Sequence, residues 1–328
     1  MKTPAANKAR VIEAFRESST FVITSHVSPD GDAVGSLLGV AHLLRAMGKS
    51  DVTCVLEDPV PRVYRWLAGA EWIVKPDAAR GPFDVGVIID AHTCDRTGAA
   101  CPLLQQSANV VVIDHHLVDA AEGRVQFIDP EYAASGEMVY ELFEEAGIRP
   151  SKEAADCLYT ALTTDTGSFR YSNTTARSHR IAAGLIDAGI NVRDVTARVI
   201  DTMSRGKYGL LRRVLDRIEF NAKGAVACAE IFARDLDETG ALNEDTDGLI
   251  NYLRNIEGVR LAILFRETPD NKTKVSFRAS SDFNAAELAR AWGGGGHAAA
   301  AGATLAQPIS EAKHSVFAHL RNHMGLTL

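Results

Sequence analysis

With 328 residues, 46% of them apolar and 23% charged, the chain is long enough for two domains with separate cores and has the composition of a globular rather than a disordered protein. Its net charge of -7, from 35 Lys and Arg against 42 Asp and Glu, has the wrong sign for tracking long nucleic acid by counterion release, so an anionic ligand must be held locally. The apolar runs are strand-sized, none reaching the roughly 20 residues that cross a bilayer, and Met1 to Thr20 lacks the unbroken apolar core of a signal peptide, so a cytoplasmic protein without a membrane segment is expected.

In chain order, Val11, Ile12 and Phe15 have the spacing of an amphipathic helix. Phe21 to Thr24, Val52 to Leu56, Val85 to Ile89 and Val110 to Ile113 read as buried strands. Between them Ala33 to Met47 is helical and stops at Gly48, while Lys152 to Thr163 places Ala155, Leu158, Tyr159 and Leu162 on one helix face. This alternation predicts an α/β fold, with a doubly wound, mostly parallel sheet over residues 1–190. Thr174 to Phe220 reads as helix after helix without a strand, giving a helical connector over 191–220 whose exposed helices suit a homodimer. The pattern then restarts. Ala225 to Ile231 reads as strand, Asp247 to Ile256 as helix, and Arg260 to Arg266 and Thr273 to Ser280 as strands flanking the turn Pro269 to Lys272. A smaller α/β domain over 221–328 follows. The five cysteines are odd in number and form no C-x-x-C pair, so buried, inert thiols are expected rather than a disulfide framework or a zinc site.

The densest chemistry lies in Thr24-Ser25-His26-Val27-Ser28-Pro29-Asp30-Gly31-Asp32-Ala33, where the first strand gives way to the first long helix. Loops at the carboxyl edge of parallel strands are where such sheets bind ligands. One imidazole and two carboxylates within seven residues could hold a hard or borderline cation. Taken alone, the loop reads equally as an N-cap supplied by Asp30 or Asp32. Three further groups tip the balance, because each ends another predicted element: Asp90 after Val85 to Ile89, Asp114-His115-His116 after Val110 to Ile113, and Asp165 after Ala161 to Thr164. A carboxylate following an apolar strand emerges at the sheet edge, since burying it unpaired would cost several kcal/mol. His26, Asp30, Asp32, Asp90, His115 and Asp165 thus bring two imidazoles and four carboxylates to one edge, enough for two cations if one carboxylate bridges. Two cations in that arrangement clamp both oxygens of an in-line phosphoryl displacement.

In order and spacing, His26-x-x-x-Asp30-x-Asp32, Asp90, Asp114-His115-His116 and Asp165 resemble the four motifs of the DHH phosphoesterase superfamily, and Gly293-Gly294-Gly295-Gly296-His297 resembles the glycine-rich signature of its associated C-terminal domain. The two-domain layout is closest to the NrnA-type nanoRNases and 3',5'-phosphoadenosine phosphatases. The resemblance implies two divalent ions, expected to be Mn2+, with His26 and Asp30 on one, Asp32, His115 and Asp165 on the other, and Asp90 between them. It makes Asp114 the carboxylate that orients an imidazole, and His116 the group that donates to the substrate phosphate as charge builds up. Asp90, Asp114 and His116 are accordingly the catalytic candidates. His92 and Cys94, in the loop after Asp90, depart from the family pattern and read as non-liganding.

In the second domain the period of two puts Lys274, Ser276, Arg278 and Ser280 on one strand face. By pattern alone that face is ordinary solvent-exposed surface, and the four glycines could be a linker. The resemblance makes Ser276, Arg278, Gly295, Gly296 and His297 a substrate-phosphate site, with Arg278 as a bidentate fork. From Asp216 to Leu328 there are 12 Lys and Arg against 15 Asp and Glu, a balance unlike the basic, aromatic-lined grooves that hold long single strands. A few local donors suit a ligand of one to five nucleotides, and the resemblance implies 3',5'-phosphoadenosine, RNA of two to five nucleotides, or dinucleotides as partners. A phosphodiesterase of linear or cyclic dinucleotides is the rival enzyme, and a catalytically silent nucleotide-binding module the rival from another class.

Overall fold

The computed structural model describes residues 4–117, 121–221, 223–280, 283–296 and 298–324. They fall into two compact units, Met1–Thr202 and Met203–Leu328. In the first, α1 (Pro4–Glu17) leads into β1 (Thr20–Thr24), α2 (Gly31–Ala46), β2 (Asp51–Val55), β3 (Ile73–Val74) and β4 (Val85–Ile89). After these come α3 (Cys101–Gln105), β5 (Asn109–Asp114), β6 (Val125–Ile128), α4 (Ser135–Ala146), α5 (Lys152–Asp165), α6 (Ala176–Asp187) and α7 (Val192–Thr196). The strands form one parallel sheet in the order β3-β2-β1-β4-β5-β6. Fully buried runs such as Val85–Ile89 are what a parallel sheet covered on both faces demands. β3, of two residues, and the edge strand β6 carry too little pattern to be read from sequence.

The strand order reverses between β1 and β4, and a crevice opens at the carboxyl ends of strands flanking such a reversal. The segments carrying His26 to Asp32 and Asp90 leave from those two strands. α2 is buried on nearly every side and approaches α5 along a row of glycines. A Cβ on Gly31 would meet Thr164 Cγ2 at 2.4 Å, one on Gly35 the Cys157 carbonyl oxygen at 2.4 Å, and one on Gly39 Leu158 Cδ2 at 2.5 Å. That row is what lets the helix bearing Asp32 lie against the helix ending in Asp165.

The second unit runs α8 (Arg205–Asp216), β7 (Glu219–Phe220), β8 (Val226–Ile231), α9 (Ala233–Thr239), α10 (Ile250–Arg254), β9 (Leu261–Glu267) and β10 (Thr273–Ala279), then α11 (Ala285–Arg290), β11 (Gly295–Gly296), β12 (Ala300–Leu305) and α12 (Ile309–Met324). Its mixed sheet has the order β11-β12-β10-β9-β8-β7, with only β8 and β9 parallel. One face packs on α11 and α12, the other on α8 and α10. Residues 191–220 are shared between the units, α7 belonging to the first and α8 to the second. The stretch read as wholly helical also ends in strand, because Glu219 and Phe220 pair with β8 as an antiparallel edge. α8 is anchored within its unit by the buried Asp235, whose Oδ1 accepts from Arg213 and Arg217 at 2.9 Å and whose Oδ2 accepts from Arg217 and from the Phe232 amide. Among the described residues no helix is long and apolar enough to cross a membrane.

Candidate metal centre

β1 delivers the first ligand loop, tied to β4 by the Ser25 hydroxyl, which donates to the Ile89 carbonyl at 2.7 Å. His26 spends Nδ1 as a donor to the Val27 carbonyl at 2.9 Å, leaving Nε2 3.4 Å from Asp90 Oδ2 and 4.0 Å from Asp30 Oδ1. Asp30 answers to both sequence readings. Its Oδ1 caps α2 by accepting from the Ala33 amide at 3.0 Å, and the same carboxylate groups with His26 and Asp90. Asp32, one residue into α2, is completely buried.

Asp90 follows the last residue of β4 in a left-handed conformation, φ 58°, a costly state for a residue other than glycine, which short polar side chains tolerate best. Its amide donates to the Ile113 carbonyl of β5 at 2.9 Å, which fixes the turn. The turn aims the two carboxylate oxygens apart: Oδ2 toward His26, Oδ1 to 3.4 Å from His115 Nε2. His115 donates Nδ1 to the Tyr132 carbonyl at 3.2 Å, and its Nε2 faces Asp165 Oδ2 at 3.2 Å and Asp32 Oδ2 at 3.5 Å as well. Three ligand groups result, His26–Asp30–Asp90, Asp32–His115–Asp165 and Asp90–His115–His116, each with its donor atoms within 4.8 Å of one another. In the third group His116 Nδ1 is taken by Asp114 Oδ1 at 2.7 Å.

The electrostatics fit cations. Burial and the neighbouring Asp90 and Asp165 carboxylates push Asp32 well above the usual carboxylate range. Burial opposes charge on the two imidazoles, yet Asp90 holds His26 up to about 9, and Asp165 and Asp90 raise His115 well above an ordinary histidine. Both histidines anchor Nδ1 on a backbone carbonyl and turn Nε2 inward, the arrangement of metal-ligating imidazoles. The donor set therefore suits two divalent ions.

Beside it, buried Asp114 holds two imidazoles: His116 on Oδ1, and His92 Nδ1 on Oδ2 at 2.9 Å. His92, read as non-liganding, is in none of the three ligand groups and is linked to the centre through Asp114. The expectation of inert thiols fails for two cysteines: Cys94 and Cys101 form a disulfide, because the 3-10 turns after Asp90 fold the loop back until their Cα atoms lie 5.0 Å apart. Cys54, Cys157 and Cys228 are free and buried. Sequence reading missed Ser135 altogether. Its amide donates to Asp32 Oδ2 at 2.7 Å and its hydroxyl to Asp90 Oδ1 at 3.2 Å.

In the second unit Lys274, Ser276 and Arg278 line one pocket of about 220 Å³ with Thr246, Asp247 and Arg266. The register pairs Lys274 with Arg266, which adds a cation that the strand pattern did not single out. Gly295 and Gly296 do not line this pocket but form the edge strand β11 on β12. They are no linker: a Cβ on Gly294 would meet the Gly302 carbonyl at 2.2 Å, and Gly296 has φ 137°. His297 lies outside the described residues.

The signature of the DHH family, N-terminal domain, matches residues 20–162, and that of the DHHA1 domain matches residues 223–323. The chain is 33% identical over 283 residues, 86% of its own length and 83% of the relative's, to the bifunctional oligoribonuclease and PAP phosphatase NrnA of Thermus thermophilus. The protein of the same name from Bacillus subtilis is 25% identical over 307 residues, 91% of this chain and 93% of that one. The crystal structure of an exopolyphosphatase-related protein from Bacteroides fragilis superposes with a TM-score of 0.88 at 28% identity, covering 96% of this chain and 95% of that chain. Motif order, converging ligands and these similarities agree that the chain belongs to the DHH family of phosphoesterases, with a DHH domain followed by a DHHA1 domain.

Proposed function

We propose that this chain is a two-metal phosphoesterase that hydrolyses short oligoribonucleotides and 3',5'-phosphoadenosine in the cytoplasm. The observation that carries the reading is Asp90, whose two oxygens face different ligand groups. His26 and Asp30 would hold one ion and Asp32, His115 and Asp165 the other, with Asp90 shared. The imidazoles support Mn2+ over Mg2+, which prefers oxygen ligands and retained water. When bound, such ions supply positive charge for the phosphoryl oxygens and make water ionisable near neutral pH.

The protein's own groups supply the rest. Asp114 fixes the His116 ring through Nδ1, and although burial opposes it, the Asp114 and Asp90 carboxylates raise the His116 pKa and favour the protonated donor. That donor would meet a phosphate oxygen as negative charge accumulates. In the second unit Ser276, Arg278, Lys274 and Arg266 support a site for a substrate phosphate, with Gly295, Gly296 and His297 as the further residues the resemblance assigns. The names of the Thermus and Bacillus relatives support the choice of substrates.

The test is a product assay with Mn2+ across 3',5'-phosphoadenosine, RNA of two to ten nucleotides, and linear and cyclic dinucleotides. Release of phosphate from the first and mononucleotides from the shortest RNAs is expected, with activity lost on chelation and weaker with Mg2+. Full activity after exhaustive chelation would refute the metal mechanism, and exclusive cleavage of dinucleotides would replace the substrate reading.

A further inference from the structure

The segment Tyr132–Gly136, which runs from the loop after β6 into the first two residues of α4, contacts or is tied to every residue of one proposed metal site. The Tyr132 carbonyl accepts from His115 Nδ1 at 3.2 Å. The Ala133 carbonyl is joined to Asp165 by Asn173, whose side-chain amide donates to both main-chain oxygens at 3.1 Å. Ser135 gives its amide to Asp32 Oδ2 at 2.7 Å and its hydroxyl to Asp90 Oδ1 at 3.2 Å, and the Gly136 amide reaches Asp32 Oδ1 at 3.0 Å. The two amides are free to do so because they open α4, where N–H groups have no partner within the helix. Among the described residues no hydrogen bond from this segment runs to His26 or Asp30, whose Nδ1 and Oδ1 are fixed locally by the Val27 carbonyl and the Ala33 amide.

Asp32 Oδ1 takes two donors, Ser36 Oγ at 2.7 Å and the Gly136 amide, which uses both of its lone pairs. Oδ2 takes one, from Ser135, and keeps the other for the centre, where it lies 3.5 Å from His115 Nε2. We propose that Ser135 is a positioning residue selective for the Asp32–Asp90–His115–Asp165 site: its hydroxyl fixes which oxygen of Asp90 serves that site, and its amide anchors Oδ2 of Asp32, the one oxygen left to the centre once Ser36 and Gly136 occupy Oδ1. This rests on the two-metal reading and adds to it that the two sites are held by different machinery.

The test is calorimetric titration of the metal-free full chain with Mn2+ alone, in the absence of substrate. The parent should bind two ions. Ser135→Ala, which deletes only the hydroxyl, should weaken one binding step about ten- to a hundredfold and leave the other within about twofold, while metal-free melting stays unchanged. Ser135→Thr, which keeps the hydroxyl, should restore the lost affinity to within a few-fold. Asn173→Ala, at an exposed position, should weaken the same step and provides the reading should Ser135→Ala fail to fold. A parent that binds fewer than two ions would overturn the two-metal reading itself. With a two-ion parent, three results would overturn the selectivity of Ser135 alone: unchanged affinities in Ser135→Ala and Asn173→Ala, equal loss at both steps, or a threonine variant as weak as the alanine one.

Discussion

Gly35→Ala should harm catalysis more than stability, and the structure gives the size of both effects. The new Cβ would lie 2.4 Å from the Cys157 carbonyl oxygen and 3.0 Å from both the amide and Cβ of Ala161. All three obstacles belong to the buried α5, and two of them are backbone, so no side chain can swing away. A carbon needs about 3.3 Å from a carbonyl oxygen, so α2 and α5 must part by about 1 Å. Overpacking of this kind costs about 1–3 kcal/mol, which in a protein of this size lowers Tm by about 2–4 °C per kcal/mol. The same movement carries Asp32, three residues before Gly35 on α2, away from Asp165 at the end of α5. A 1 Å misplacement of catalytic groups can cost about a hundredfold in rate. The assay is kcat on a generic bis-nitrophenyl phosphate with saturating Mn2+, beside a melting curve, with Gly209→Ala on α8, where the Cβ meets only Thr239 at 3.2 Å, as a control that should keep parental kcat. A Gly35→Ala enzyme with depressed Tm but kcat within about threefold of the parent would refute the argument that the glycine row sets the spacing of the ligands.

Three further outcomes follow from the same geometry. Asp90→Asn keeps a side chain that tolerates the left-handed turn but removes the charge proposed to be shared by two dications, so a metal count should fall below two and turnover should drop at least about a thousandfold, roughly 4 kcal/mol; His92→Ala, which removes no proposed ligand, should keep both ions and lose far less. Arg278→Ala and His297→Ala should raise KM more than they lower kcat in steady-state assays on nucleotide substrates, since uniform binding is lost while the metal centre is untouched. Burial works against the Asp235 charge, but Arg217, the Phe232 amide and Arg213 prevail and hold its pKa at about 2 against an ordinary 3.8. Its contribution, about 2 kcal/mol, is therefore complete above the unfolded value and lost as pH falls through 3.8 toward 2; urea melts should show Asp235→Asn less stable than the parent at pH 7, with the gap closing below pH 4.

What was legible in the sequence and what was not divides along one physical line. Val85–Ile89 and Val110–Ile113 could be read because a strand buried on both faces of a parallel sheet must be apolar throughout, and Asp90 and Asp114 stood out as the first charges after such runs. The side chains proposed to bear the chemistry are therefore visible, since they interrupt a pattern. The groups that aim them were not. Ser135 reaches Asp32 from 103 residues away and Asp90 from 45, and two of the three bonds from Ser135 and Gly136 come from backbone amides, which every non-proline residue carries. Nothing in Ala133-Ala134-Ser135-Gly136 marks it as the partner of a distant carboxylate. His92 shows the same limit from the other side: its residue type is plain in the sequence, but its link to Asp114 depends on β4 lying beside β5.

The glycines carry this furthest, because a residue without a side chain can be read only through what approaches it. Gly293 to Gly296 suggested a phosphate cradle by resemblance or a linker by composition. The second unit supplies a nearer cause, in which Gly294 and Gly296 pass within van der Waals reach of β12, at the Gly302 and Ala300 carbonyls. Gly295 is different. A Cβ there would meet nothing within 4 Å, so packing does not require glycine at that position and a ligand that comes close to the backbone would. Gly295→Ala should accordingly leave the melting curve of the second unit unchanged while raising KM for nucleotide substrates several-fold, whereas Gly294→Ala, with its Cβ 2.2 Å from a backbone oxygen, should lower stability and binding together. If Gly295→Ala kept parental KM, the open glycine would have no part in holding substrate, and the phosphate site of this domain would be left to the strand face around Ser276 and Arg278.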